Sequence, residues 1–279
     1  MSQPPNTARP DFAVIGAMRA GTTHLHEMLR AVKGVSVPKM KETDFYCSSA
    51  SAAKGFAWYA RQFDESSALW GDISPNYAKS DISPQAAELL HAANPDMRIF
   101  FIARDPVERA ISHYKMAYFI EEDLPPPEAL LSPPAGQHIL LASSYYNCLL
   151  PFWERFDEQV IVLDFDMLVK NPRQLLARIC GALGIPPAEV AFARAPSNYF
   201  HAVSRMPAWW SRLRRSELGT TLRAHVPRPL RNFVKTQAAL AKPRPSPPPF
   251  CDLVRAQIAE RITPDILKFR RKTGMAFEN

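Results

Sequence analysis

Gly16 and Gly21 bracket four residues at the end of the apolar run FAVIG (12–16), and the second glycine is followed directly by two threonines. The loop Gly16-Ala17-Met18-Arg19-Ala20-Gly21-Thr22-Thr23 therefore has the G-x4-G spacing that lets backbone N–H groups turn inward toward phosphate oxygens. The helix it opens adds the positive end of its dipole, and the hydroxyls of Thr22 and Thr23 can donate further hydrogen bonds. A nucleoside-triphosphate loop carries Lys directly after its second glycine and then Ser or Thr for Mg²⁺. Here Thr22 takes the lysine position, and the only cation of the loop is Arg19, three residues earlier. That arrangement argues for a phosphate-like anion held without a metal, and against a kinase or ATPase. A plain strand–turn–helix with no ligand is the bland alternative.

A second constellation lies in FIARDPVERAISHYK (101–115). An apolar run ends in Arg104, Asp105-Pro106 opens a helix, and Ser112 follows two helical turns later. A fixed cation and a nearby hydroxyl are what a lone monophosphate requires. Arg109, in the same stretch, reads as a helix-surface partner of Asp105 or Glu108.

These residues need elements to carry them. Short β-rich runs predict strands at 11–16, 35–40, 69–74, 98–104 and 159–168. Longer 3.6-periodic runs predict helices at 22–33, 83–93, 106–119, 144–156 and 172–183, with two more after Phe250. Ser83-Pro84, Asp105-Pro106 and Asn171-Pro172 read as helix starts, and Gly184 as a helix stop. Strands alternating with helices imply a mostly parallel sheet covered on both faces, with ligands beyond the carboxyl ends of its strands. Proline-rich stretches at 121–135 and 242–250 read as surface segments, and residues 1–10 as a flexible N-terminus. We expect one domain over 1–279.

The 279 residues are 47% hydrophobic, enough for a sizeable core. No apolar stretch approaches the roughly 20 residues needed to cross a bilayer. MSQPPNTARPDF has no apolar h-region, which predicts no secretory leader. Cys47, Cys148, Cys180 and Cys251 have no metal-ligand or CxxC spacing, so they read as free buried thiols in a reducing compartment, and the protein as cytoplasmic. The net charge of +7 is concentrated: residues 205–244 carry ten Lys/Arg and a single acid, Glu217. Such a segment points to an anionic partner.

Together the two loops resemble those of sulfotransferases that use 3′-phosphoadenosine 5′-phosphosulfate (PAPS). Arg19-Ala20-Gly21-Thr22-Thr23 matches that family's (K/R)-x-G-T-T phosphosulfate loop. Residues 104–114 match its R-D-P-x-x-R-A-x-S-x-Y stretch, whose first Arg and Ser bind the 3′-phosphate, here Arg104 and Ser112. The resemblance continues through SSYYNCLLPFWERFDEQVIVLDFDMLVKNPRQLLARICGALGIPP (143–187). KMKETDFYC (39–47) is similar to the K-E-x-x-(F/Y)-(F/Y) stretch of the bacterial and heparan-sulfate-like carbohydrate branch, which implies Glu42 as catalytic base beside Arg19. Other branches use histidine, so His24, His26 and His113 are rival bases; a surface ion pair with Lys39 or Lys41 is the bland reading of Glu42. GDISPNYAKS (71–80) corresponds to that branch's E-K-S-x-x-Y-F. The family's lysine is absent here, so Lys39 or Lys41 would stand in for it, and Asp72 and Tyr77 would lie on the acceptor side with Lys41.

The family's loop over the adenosine and 3′-phosphate falls at 197–233, where Arg205 is the best match. Trp209, Trp210, Leu213, Leu218 and Leu222 interleave there with Arg212, Arg214, Arg215 and Arg223. This reads as a helical lid over an acidic ligand or as an interfacial helix on anionic lipid, with peripheral contact of 205–235 at the inner membrane face. No nucleic-acid motif accompanies the charge.

The resemblance implies a three-layer α/β fold of the P-loop NTPase type, PAPS as cofactor with adenosine 3′,5′-bisphosphate as product, no metal, and a hydroxyl acceptor that is a carbohydrate or glycolipid. The alternatives are an ATP/GTP-dependent P-loop phosphotransferase and a non-catalytic membrane-surface protein of the same fold.

Overall fold

The computed structural model describes residues 9–120, 124–132, 136–186 and 246–277. Arg205 and the basic segment 205–244 lie outside the described residues, as do 121–123 and 133–135.

Five strands form one parallel sheet in the order β2-β3-β1-β4-β5: β1 Phe12–Gly16, β2 Val35–Ser36, β3 Leu69–Ile73, β4 Arg98–Ala103 and β5 Val160–Asp164. Phe12 through Ile15 of β1 and Ile99, Phe100, Ile102 and Ala103 of β4 are wholly buried. Alternate residues of a strand face opposite sides, so this unbroken burial requires helices on both faces, and the α/β expectation holds. β1 pairs with β3 on one side and β4 on the other. The loops after these strands consequently meet at their carboxyl ends, where open α/β sheets bind ligands.

Among the described residues the helices are α1 Thr22–Arg30, α2 Ser49–Ala52, α3 Phe56–Ala60, α4 Ser83–Ala93, α5 Pro106–Ile120, α6 Gln137–Leu141, α7 Tyr145–Phe156, α8 Phe165–Lys170, α9 Pro172–Ala182 and α10 Asp252–Thr273. Gly184 ends α9 as expected: it takes φ 69°, with Gly184 N–H donating to Gly181 O and Ile185 N–H to Cys180 O, a Schellman motif.

Several expectations are corrected. The strand expected at 159–168 stops at Asp164, whose carboxylate accepts Asp166 N–H at 2.8 Å and starts α8. The strand expected at 35–40 has two residues, since Pro38 cannot continue a ladder. In place of two helices after Phe250 there is the single α10, which runs through Pro264. Its stripe Val254, Ile258, Ile262, Ile266 and Phe269 is buried across the proline, and that burial outweighs one lost backbone bond. The helix start at Ser83-Pro84 lies one residue earlier, with Ile82 as cap.

The proline-rich excursion is no loose surface strand either: Leu130 is in the core, and Tyr114 OH donates to Pro125 O at 2.9 Å. Pro10, within the segment expected to be flexible, is buried and its carbonyl accepts from Asn94 Nδ2 at 3.0 Å; residues 1–8 lie outside the described residues. Cys148 and Cys180 are buried free thiols, but Cys47 is half-buried and Cys251 exposed.

Candidate functional site

The loop between β1 and α1 makes its turn with two left-handed residues, Arg19 at φ 71° and Gly21 at φ 80°. Gly21 has a second reason to be glycine. A Cβ there would lie 2.6 Å from Leu168 Cδ2 of α8, which packs over the loop. Thr22 is buried and Thr23 exposed, while Ala20 is buried against the core. The first N–H groups of α1 have no acceptor within the helix, the usual state of a helix start.

Arg104 reaches across from the end of β4 and donates to Arg19 O at 3.1 Å. Its guanidinium lies 4.8 Å from the centroid of the Phe165 ring of α8, and its own carbonyl accepts from Tyr145 OH at 2.7 Å. Ser112, buried on α5, accepts from Arg19 Nε at 3.3 Å. Arg19 Nη1 also meets Met116 Sδ at 3.6 Å. The two anion sites read separately from the sequence thus adjoin: Arg19, Arg104 and Ser112 are one cluster. Burial, then the adjacent Arg104 charge, hold the Arg19 pKa below its usual value, and Glu42 opposes both. Two guanidiniums this close in a half-buried site favour an anion between them.

The third part of the site is the loop after β2. Glu42 and Asp44 both adopt left-handed conformations, φ 63° and 50°, which non-glycine residues take only when held. Glu42 is paired with Lys41, and both are half-exposed. Its charge acts on Arg19 in the opposite sense to Arg104. Asp44 is gripped by Asn76 Nδ2, at 3.1 and 3.0 Å from its two oxygens. Burial raises the Asp44 carboxyl, opposed by Asn76 and reinforced by Glu42.

Asp72 and Tyr77 do not face outward as acceptor-side residues would. Both are fully buried, and Asp72 accepts from Thr43, Tyr59, Ser74 and Tyr77, so the two side chains hold the Glu42 loop from behind. Lys39 lies at the surface, 3.5 Å from Arg61 O.

Arg109 is the clearest correction. It is wholly buried, with Nε donating to Ser143 Oγ at 2.7 Å, Nη1 meeting His113 Nδ1 at 3.2 Å, and Nη2 bonding Ile139 O. Glu108, its expected partner, pairs with Arg255 of α10, and Asp105 caps α5 through Glu108 N–H at 2.8 Å. Burial lowers Arg109 to about 10. Among the rival bases, His113 is buried beside Arg109, and burial with that charge lowers it to about 2. His26 is buried with Nε2 3.0 Å from Pro38 O, tying α1 to the chain after β2. Burial lowers the half-exposed His24.

Sequence reasoning missed Thr43, Tyr59, Asn76 and Phe165. The aromatic spacing around Tyr59 and the Asn76-x-x-Lys79 turn carried no signal that separated them from ordinary core and loop residues.

The parallel sheet, the glycine loop and the arginines beside it define an α/β protein of the P-loop type that lacks the triphosphate lysine. The model of the Sulfotransferase family matches residues 43–189, and the chain belongs to that family. It is 27% identical over 210 residues to the bifunctional heparan sulfate N-deacetylase/N-sulfotransferase 1 of Caenorhabditis elegans, covering 69% of this chain and 24% of the relative. The mouse heparan sulfate glucosamine 3-O-sulfotransferase 5 is 26% identical over 193 residues, 64% of this chain and 54% of the relative. A membrane-associated sulfotransferase, kil1 of Dictyostelium discoideum, is 32% identical over 110 residues, 38% of this chain and 22% of the relative. The chain thus spans about a quarter to a half of the length of these relatives. In fold it is similar to a sulfotransferase from Alicyclobacillus acidocaldarius, with TM-score 0.66 at 18% identity over 97% of this chain and 98% of that one.

Proposed function

We propose that the protein is a PAPS-dependent sulfotransferase that moves a sulfuryl group to a hydroxyl of a carbohydrate or glycolipid acceptor. The observation that carries this reading is the meeting of Arg19, Arg104 and Ser112 beside a glycine loop, with the Glu42 carboxylate within electrostatic reach. A cluster of cations, a hydroxyl and helix-start N–H groups suits two phosphate groups on one nucleotide. In this reading Arg19, Gly21, Thr22 and Thr23 hold the 5′-phosphosulfate, and Arg104 and Ser112 hold the 3′-phosphate. Arg205 would complete the second group from outside the described residues. When bound, PAPS supplies a sulfuryl group on a phosphate leaving group. Glu42 takes the proton of the acceptor hydroxyl, and Arg19 with the loop N–H groups stabilises the negative charge that builds on the oxygens around it. Lys41 pairs with Glu42 and lines the acceptor side.

The acceptor class is supported by the KETDFY stretch and by the heparan sulfate names of the worm and mouse relatives. A cytoplasmic location, with 205–235 against the inner membrane face, is proposed on composition alone. Among the described residues no helix is long and apolar enough to cross a membrane.

The test is calorimetric titration with adenosine 3′,5′-bisphosphate in EDTA, and with Mg·ATP separately. Binding of the bisphosphate without metal supports the reading; binding of Mg·ATP alone overturns it in favour of a phosphotransferase. Labelled PAPS offered with unsulfated heparosan oligosaccharides and with a glycolipid then separates the two acceptors.

A further inference from the structure

Asp72 is a wholly buried carboxylate whose four hydrogen-bond partners are all hydroxyls. Oδ2 accepts from Tyr77 OH at 2.8 Å, Thr43 Oγ1 at 2.9 Å and Tyr59 OH at 3.0 Å, and Oδ1 accepts from Ser74 Oγ at 2.8 Å. No cation is among them. A buried charge held in this way is costly, and its neighbours show what it holds.

Three of the hydroxyls are also acceptors. Asp44 N–H donates to Ser74 Oγ at 3.2 Å, Phe45 N–H to Thr43 Oγ1 at 3.3 Å, and Tyr46 N–H to Tyr77 OH at 3.3 Å. Each hydroxyl has one proton, and with its oxygen taking a loop N–H, that proton goes to Asp72. Three consecutive backbone amides, 44 to 46, are thereby relayed to one carboxylate. The anchored turn begins immediately after Glu42 and contains left-handed Asp44, and Glu42 itself is left-handed. The left-handed conformation is unfavourable for Glu42, and the side chains that hold this turn are themselves tied to Asp72, outside the loop.

We propose that Asp72 is a positioning residue: through Ser74, Thr43 and Tyr77 it fixes the backbone of residues 42–46 and so aims Glu42 toward Arg19. The inference rests on the reading of Glu42 as the base. Asp72 touches no reacting atom. It acts by collecting the hydroxyl protons that free three oxygens for the loop amides.

The test compares Asp72→Asn with the unaltered chain in amide hydrogen exchange, which needs no acceptor. An asparagine puts an NH₂ donor where the hydroxyls need an acceptor. Amides of 43–47 are expected to exchange about tenfold faster in D72N, while those of β1, β4 and α1 keep their protection. The affinity for adenosine 3′,5′-bisphosphate should stay within about twofold, because the phosphate cluster is carried by other loops. Unchanged exchange at 43–47, or uniform loss of protection with weakened bisphosphate binding, overturns the proposal in favour of a passive core network. If D72N does not fold, Ser74→Ala removes one of the three relaying hydroxyls and leaves the carboxylate, and a smaller local increase centred on the Asp44 amide is expected.

Turnover of labelled PAPS with heparosan oligosaccharides adds the functional readout. D72N should lower kcat about tenfold or more with KM for PAPS unchanged, and should add little in the Glu42→Gln background. Multiplying losses in the double variant mean that Asp72 does not act through Glu42. Full turnover of Glu42→Gln by itself instead removes Glu42 as base, and leaves the exchange result to decide the anchoring.

Discussion

Arg104 bonds Arg19 O with one of its guanidinium nitrogens and lies against Phe165, so its head is fixed before any ligand arrives. Fixed, half-buried cations bind phosphate better than mobile ones because less side-chain freedom is lost on binding. Arg104→Ala should weaken bisphosphate binding by about 2 kcal/mol or more, roughly thirtyfold in Kd, which calorimetry reads directly. His113 shows a different consequence of burial. Its pKa of about 2 in the fold lies far below the ordinary 6.5, so the folded chain refuses a proton that the unfolded chain accepts. Stability from this group is therefore present above about pH 6.5 and falls as pH drops toward 2, by at most ~1.4 kcal/mol per pH unit. Denaturant melts at pH 7 and pH 5 should show a loss about 1–2 kcal/mol larger in the unaltered chain than in His113→Gln, which keeps an acceptor for Arg109. Arg19, Arg104 and Ser112 were legible as separate letters because their types and spacing are unusual. Arg109 was misread because spacing on a helix says which residues share a face, and gives no sign of whether that face is covered.

At the scale of elements, the site depends on pieces that hold loops from behind. α8 seats Leu168 against Gly21 and Phe165 against Arg104, although its residues read as the end of a strand. Gly21→Ala meets two obstacles at once, the left-handed φ of 80° and a Cβ 2.6 Å from Leu168. The variant should be destabilised by about 1–3 kcal/mol and should lose most of its bisphosphate affinity, measured by melting and calorimetry on the same sample. Asp164 explains why α8 was hidden: a side-chain cap competes with strand propensity, and the winner is decided by what the following helix packs against.

Over the whole molecule, α10 is joined to the site through α7. Asp265 of α10 accepts from the N–H groups of Tyr146 and Asn147 at 2.9 Å each, filling the start of α7, and Tyr145 next to them holds the Arg104 carbonyl. A residue 119 positions away thus caps the helix that supports the cluster of Arg19, Arg104 and Ser112. Asp265→Ala should lower stability by about 1–3 kcal/mol in a denaturant melt, with a smaller loss of bisphosphate affinity because Arg19 and Ser112 are untouched. Equal stability in that variant would mean that water satisfies the start of α7 as well as the carboxylate does.

The amino-acid order alone determined the strand succession, the parallel α/β class and the positions of the glycine loop and of the Arg104–Ser112 stretch. Those follow from local rules: apolar periodicity, helix-start residues, and glycines where a backbone must turn or be approached closely. Only the tertiary structure decided that the two loops form one cluster, that Arg109 and Asp72 are buried hubs, and that α10 continues through Pro264. Each of these depends on which faces become covered when β1, β3 and β4 align and the helices close over them. Coverage is a property of contacts distant in sequence, so the desolvation it brings, and the hydrogen bonds that must answer it, had no local signature.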